Sequence, residues 1–368
     1  MRNHLGTLAL TLALLPAGLA ATGTVASAAP GDDRPDRDRP RDNGWTTAVV
    51  DPDQSFRGLD AVNRRTAWVT GGSVSGGAGR VFRTTDSGGS WTDVTPDGTD
   101  GLMLRDVEAR GRDTAVVLAI GPGEASRIYR TTDGGESWTE TFRNTDEAAF
   151  YNCLDFFPGG KRGLAVSDPV DGRFRVISTR DGGRSWEVLP TEGMPAADGE
   201  YNFSASGDCL VIAGRHAWFG TGGEQARVLH SDDRGRTWHA TDSGLAAGEA
   251  AGVFALAMKN PRRGVLVGGD FAAPADGTGA AAVTRSGGGS WAGGADLPHL
   301  GEDAAWVQGR RATVLAVGEG GGEGGTAISR DGGRTWATWS DEAFHTLDCT
   351  RDGACWAAGG GGRVGTLS

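Results

Sequence analysis

The chain is short of several residue types, and each shortage narrows its class. Only Lys161 and Lys259 are lysines, so nearly all positive charge is arginine. Tyrosine occurs three times, at Tyr129, Tyr151 and Tyr201, and cysteine four times. No Cys/His spacing matches a zinc site, so no metal is expected. No Gly-x-Ser-x-Gly elbow stands between a strand and a helix, which leaves a hydrolase triad without its usual support. Gly320–Gly325 formally reads GxGxxG but leads into a strand, with no helix N-terminus to meet a pyrophosphate. No cofactor is expected. No apolar run reaches the length that spans a bilayer, so no membrane insertion is expected.

What is there begins with an address. Arg2 is followed by the apolar run Leu5–Leu15 and by Ala26-Ser27-Ala28, a small-residue cleavage signal before Ala29. Residues 1–28 therefore read as a signal peptide, with no twin arginine and no lipobox cysteine, and the expected destination is secreted or extracellular. Residues 29–44, which include Gly31–Gly44, are charged and Pro-rich and read as a disordered tether. Cleavage removes one of 36 basic residues and leaves 47 acidic ones, so 35 − 47 gives a net charge of −12. That balance argues against nucleic acid and anionic lipid as partners.

Residues 45–368 are organised by a repeat. Thr131-Thr132-Asp133-Gly134-Gly135-Glu136-Ser137-Trp138 has near-copies at 84–91, 179–186, 231–238, 284–291 and 329–336. Their recurring residues are Asp86, Asp133, Asp181, Asp233 and Asp331, with Trp91, Trp138, Trp186, Trp238, Trp291 and Trp336. The fifth copy has Ser286 in place of the aspartate. The tryptophans are 47, 48, 52, 53 and 45 residues apart, a period that signals a repeat architecture. A short carboxylate can accept hydrogen bonds from its own turn, and glycine supplies positive φ. Four short strands per repeat make one propeller blade. After Trp339 three further strands follow, and the missing fourth is Trp45–Val49 at the other end. The expectation is an all-β, seven-bladed β-propeller of four-stranded antiparallel blades, closed by the N-terminal strand and functioning as a monomer.

The repeated octapeptide resembles the Asp-box (BNR) repeat of sialidases and related propellers. Val166–Phe174, Gly252–Ala257 and Gly268-Gly269-Asp270-Phe271 are similar to secreted bacterial relatives of the photosystem II stability and assembly factor propellers. That resemblance covers about residues 45–368 and implies a non-catalytic assembly factor; some relatives carry an oxidoreductase label. A sialidase-like glycan hydrolase is the alternative, but the Phe-Arg-Ile-Pro opening is absent. The nearest string, Phe174-Arg175-Val176-Ile177, lies in the wrong blade. The boxes themselves read as structural staples.

Four cysteines in an exported chain suggest two disulfides, with three possible pairings. Cys349–Cys355 across a short hairpin and Cys153–Cys209 between neighbouring repeats are expected. By loop entropy they contribute about 2.4 and about 4.2 kcal/mol respectively. The first strands align Asp60, Asp106, Asp155 and Asp348 around the central channel, with Arg57, Asn152 and His345 three residues before Asp60, Asp155 and Asp348. Tyr201-Asn202 echoes Tyr151-Asn152. Arg57, Tyr151, Asn152, Tyr201, Asn202 and His345 are therefore candidate ligand-binding residues of the funnel, for a protein or glycan partner, without catalysis. The aspartates read as bonds to adjacent strand turns. The sequon Asn202-Phe203-Ser204 reads as chance.

Overall fold

The repeated turn explains how each blade ends. In the computed structural model, Thr131 Oγ1 donates to Asp133 Oδ1 at 2.7 Å and accepts from Gly135 N at 3.0 Å. Asp133 also accepts from Ser137 N at 3.0 Å and from Ser137 Oγ at 2.5 Å. The backbone reverses through Gly134 and Gly135, both at positive φ (78° and 86°). The same bonds recur around Asp86, Asp181, Asp233 and Asp331. In the fifth copy Ser286 Oγ accepts from Ser290 N at 2.9 Å and offers no second carboxylate oxygen. Hydrogen bonds from Ser90, Ser137 and Ser185, with other turn groups, hold Asp86, Asp133 and Asp181 down to about 2; Asp181 does so against some burial.

The structure describes residues 44–320 and 323–367. The expected signal peptide and all of the expected tether but Gly44 lie outside them. The strands assemble into a seven-bladed propeller of antiparallel, four-stranded blades. Blade 1 consists of Gln54–Asn63, Thr66–Ser73, Val81–Thr84 and Thr92–Asp93. Blade 2 runs Met103–Ala109, Ala115–Ile120, Arg127–Thr131 and Thr139–Arg143, and blade 3 runs Tyr151–Phe156, Gly163–Val170, Arg173–Thr179 and Glu187–Val188. Blade 4 is Leu210–Ala213, His216–Gly220, Arg227–Ser231 and His239–Asp242. Blade 5 is Gly248–Asn260, Arg263–Asp270, Ala281–Thr284 and Ala292–Ala295. Blade 6 is Asp303–Trp306, Val314–Gly320, Glu323–Ser329 and Ala337–Ser340. Blade 7 takes Thr346–Cys349, Cys355–Ala358 and Arg363–Leu367, and its outer strand is Thr46–Val49. Thr46 pairs with Thr366 and Val49 with Arg363, which closes the ring as expected.

Two elements differ from the sequence reading. Blade 4 was expected to open at Asp208, but Gly207–Cys209 is a 3-10 turn capped by Ser206. Blade 5 carries two extra short strands, Glu200–Tyr201 and Gly222–Gly223. Its 13-residue first strand outruns its partner blade, and Gly222–Gly223 pairs with the overhang through Gly248 and Gly252. An unpaired overhang would be an open edge, and this pairing covers it.

The core lies between blades. Trp138 meets Trp68 edge-on at 6.3 Å, and Trp91 meets Trp356 at 6.0 Å. Cys153–Cys209 joins blade 3 to blade 4, and Cys349–Cys355 is a cross-strand pair inside blade 7.

Candidate binding site at the channel mouth

First strands of successive blades touch one another around the ring and line the central channel. Four of the seven carry an irregularity near the mouth end. Register shifts between Phe56 and Gly58, Leu104 and Asp106, Tyr151 and Cys153, and Val253 and Ala255 leave one extra residue in each strand. Those residues are Arg57, Arg105, Asn152 and Phe254. A bulge re-aims the extra side chain, here to the rim of the channel. Glu302 and His345 stand at the same level, just ahead of their first strands.

Below this level runs a set of carboxylates. Asp106 Oδ2 accepts from Leu154 N at 2.6 Å, Asp155 Oδ2 from Ile212 N at 2.5 Å, and Asp303 Oδ2 from Leu347 N at 2.8 Å. Asp348 Oδ2 accepts from Ala61 N at 2.9 Å, and Asp60 accepts from Ala109 N. Each aspartate latches the innermost strand of the next blade, so they hold the ring closed. Burial pushes Asp155 and Asp303 up to about 7. Burial and neighbouring carboxylates push Asp60, Asp106, Glu108 and Asp208 well above the usual range. Asp60, Glu108, Asp155, Asp208 and Asp348 line a cavity of about 310 Å³. Among the described residues, no group of three His, Cys, Asp or Glu is placed to hold a metal.

The register corrects the sequence alignment at one point. Asp106 was set level with Asp60, Asp155 and Asp348. Because the extra residue of blade 2 is Arg105, Arg105 matches Arg57 and Glu108 matches Asp60, which places Asp106 two residues nearer the mouth. Matching Arg57-Gly58-Leu59-Asp60 to Arg105-Asp106-Val107-Glu108, arginine on arginine and acid on acid, shows this in the sequence itself.

The candidate residues separate into three groups. Arg57 and His345 form the rim. Arg57 Nη1 donates to Ala205 O at 2.8 Å and pairs with Glu302 Oε1 at 3.3 Å. His345 Nδ1 lies 2.6 Å from Glu302 Oε2. Burial would raise Glu302, but His345 and Arg57 outweigh it and the carboxyl sits below its ordinary range. Asn152 and Asn202 are buried and consumed internally. Asn152 Nδ2 donates to Asp168 Oδ1 at 3.0 Å, and Asn202 N donates to the same oxygen at 2.9 Å. Asn202 Nδ2 donates to Gly220 O at 2.7 Å, so the sequon amide is not presented for modification.

Tyr151 is the clear departure. It is fully buried in the core between blades 2 and 3, edge-on to Phe142 at 5.3 Å. Burial raises its phenol further above neutrality, and it does not reach the funnel. Tyr151 precedes the bulge, and the residue one step earlier in an alternating strand faces the core. Tyr201, by contrast, is 53% exposed. It belongs to the edge added to blade 5, not to a first strand.

Several rim residues were missed. Arg105 is half-buried beside Arg57, and burial followed by that neighbour's charge lowers it to about 9. Among the described residues it has no ion-pair partner. Phe203 stacks edge-on with Phe254 at 5.7 Å and with Phe271 at 5.9 Å, and Phe271 is 45% exposed. Met103, beside Arg105, is 44% exposed. Arg105 thus sets a guanidinium without an ion-pair partner among the described residues beside the exposed thioether of Met103, features that orient a ligand with both a carboxylate and an apolar side chain.

No protein-family model matches the chain, and no curated protein matches it in sequence. Solved structures do resemble it. A structure of YCF48 bound to D1 peptide superposes with TM-score 0.58 at 16% identity, covering 88% of this chain and 94% of that one. YCF48 from Cyanidioschyzon merolae gives 0.57 at 16%, covering 88% and 98%. The Pan2 WD40 domain of Neurospora crassa gives 0.59 at 13%, covering 89% and 95%. At these identities the likeness establishes the β-propeller fold.

Proposed function

We propose that the protein is an exported, non-catalytic propeller that binds a partner protein through the channel mouth as a monomer. The observation that carries this reading is Arg105, a half-buried guanidinium without an ion-pair partner among the described residues, next to the exposed Met103. The YCF48 structure with a peptide bound supports a peptide as ligand on this fold. Two disulfides support an oxidising compartment, in line with residues 1–28 acting as a signal peptide and residues 29–44 as a tether. The six turns are read as Asp-box (BNR) repeats working as staples, since each aspartate is occupied by its own turn.

Mature protein presented to peptide and glycan arrays should select peptides that combine a free carboxylate with an aromatic or aliphatic residue. Arg105→Glu should abolish that selection, and Phe271→Ala should weaken it severalfold. Selection that survives Arg105→Glu, or that falls on uncharged glycans, would refute the reading.

A further inference from the structure

Blade 4 holds three of the chain's six histidines, His216, His230 and His239. They lie on its second, third and fourth strands, and the register sets Trp218 and His239 on either side of His230. His216 stands two residues before Trp218 on the second strand, so both side chains leave on one face of the sheet. Trp218 is fully buried, and its Nε1 donates to Gly287 O at 2.9 Å, which fixes the indole under the repeated turn of blade 5. Both imidazoles lie near-parallel to that indole. The His230 ring centroid is 4.9 Å away at 5°, and the His216 centroid is 5.5 Å away at 16°.

Other blades use the position of His230 differently. Arg83 in blade 1 and Arg130 in blade 2 occupy the same register and extend to the next blade, donating to Arg112 O and Gly182 O. His230 turns back into its own blade instead, and its Nε2 lies 3.0 Å from His216 Nδ1. At that distance one nitrogen donates and the other accepts, so one lone pair already points into the gap. Both residues are part-exposed, and neither outer nitrogen, His216 Nε2 or His230 Nδ1, is sealed from water. Burial, followed by the neighbouring His216, lowers His230 to about 4, so it is uncharged at neutral pH.

Two imidazole nitrogens bonded at about 2.0–2.1 Å stand about 3.3 Å apart on a tetrahedral ion and about 2.9 Å apart at one corner of a square-planar ion. The observed 3.0 Å falls within that span. We propose that His216 and His230 form a two-imidazole site for a divalent late transition metal, with Cu(II) held more tightly than Ni(II) or Zn(II). Water completes the coordination, since among the described residues no group of three His, Cys, Asp or Glu is placed to hold a metal. Entry of the ion moves the shared hydrogen to the outer nitrogen of its own ring, a tautomer change that releases no proton. Both rings turn until their lone pairs converge on the ion. Asp232 adds a favourable charge beside His230, which its 3.8 Å pair with Arg215 reduces. Sequence spacing gives no sign of this site, because its two ligands come from adjacent strands, 14 residues apart.

Mature protein stripped with a chelator and titrated with Cu(II) should bind one ion. Its electron paramagnetic resonance spectrum should show hyperfine coupling to two imidazole nitrogens. His216→Ala and His230→Ala should each weaken binding at least tenfold, whereas His239→Ala should change it less than threefold. His230 packs on Trp218, so where His230→Ala fails to fold, the spectrum of the unaltered protein decides. No saturable binding, or a spectrum with fewer than two imidazole nitrogens, overturns the proposal. Binding that survives replacement of both histidines, or an equal loss in His239→Ala, does so too.

Discussion

Aspartate does two opposite jobs in this molecule. On the outer turns, Asp133 is exposed and saturated by donors from its own octapeptide, so ionisation is favoured and the site is local. In the channel, Asp303 is buried and reaches across to the backbone of the next blade, so ionisation is resisted and the site is tertiary. The first kind shapes a blade, while the second joins blades. One residue type thus acquires opposite charge preferences from solvation alone.

The largest separation between the two should appear in the pH dependence of stability. Asp155, Asp168 and Asp303 rise to about 7 in the folded protein, chiefly by burial. A raised group contributes fully below its unfolded value near 4, and that contribution is lost as pH climbs through the folded value. A three-unit shift corresponds to at most about 4 kcal/mol per group. The turn aspartates at about 2 run the other way, keeping their contribution above pH 4 and losing it as pH falls toward 2. Melting temperature should therefore peak near pH 4 to 5 and decline toward pH 7.5. A profile that is flat or rising over that interval would show the channel carboxylates to be solvated.

Covalent closure should follow the same division. Replacing Cys153 and Cys209 by alanine removes a link between two blades and should cost about 4 kcal/mol, whereas Cys349→Ala with Cys355→Ala should cost about 2.4. Denaturant titration of the two double variants gives the order, and equal losses would mean that strain or residual unfolded structure dominates.

Single carboxylates come next. Asp348→Ala leaves Ala61 N without its acceptor and should cost about 1–3 kcal/mol. Asp348→Asn keeps an acceptor and removes the charge, so it should be near neutral at pH 5 and more stable than wild type at pH 8. Asp133→Ala should cost less than Asp348→Ala, because the turn donors it leaves are exposed to water. If Asp348→Asn destabilises equally at both pH values, the bond to Ala61 depends on charge and the contrast between channel and outer turns narrows.

Much of this was legible from residues. The turn recurs without gaps, so blade number and the composite closing blade followed from spacing; the channel aspartates were read as bonds to adjacent strand turns, whereas they reach the first strand of the next blade. Both cysteine pairs followed from repeat register and hairpin length. The mouth was harder to read. Bulges at Arg57, Arg105, Asn152 and Phe254 insert one residue each, and a one-residue slip changes which side chain faces the core. Tyr151 was therefore placed in the funnel although it packs between blades. Arg105 was passed over although it stands beside Arg57. Phe203 and Phe271 come from long connections, whose positions depend on the overhang of Gly248–Asn260 and not on the repeat.

The smallest expected effect sharpens the contrast at the turn itself. The fifth turn has Ser286, whose hydroxyl accepts from Ser290 N but cannot offer a second oxygen to Ser290 Oγ as Asp133 does to Ser137. Ser286→Asp should give Ser290 Oγ a carboxylate oxygen of its own in place of the 3.2 Å hydroxyl–hydroxyl contact and raise stability by roughly 0.5–1 kcal/mol, within the range of one net hydrogen bond. Arg234 gives the matching backbone case: it holds φ +67° where four of the other turns place glycine and the first places Ser87. Relief of that conformation in Arg234→Gly is opposed by the unfolded-state entropy of glycine, so its net gain should be smaller, a few tenths of a kcal/mol. Both changes leave the channel untouched, so their stabilisation should be the same at pH 5 and pH 8. A gain that varies between those pH values would mean that turns and channel are coupled through the blades.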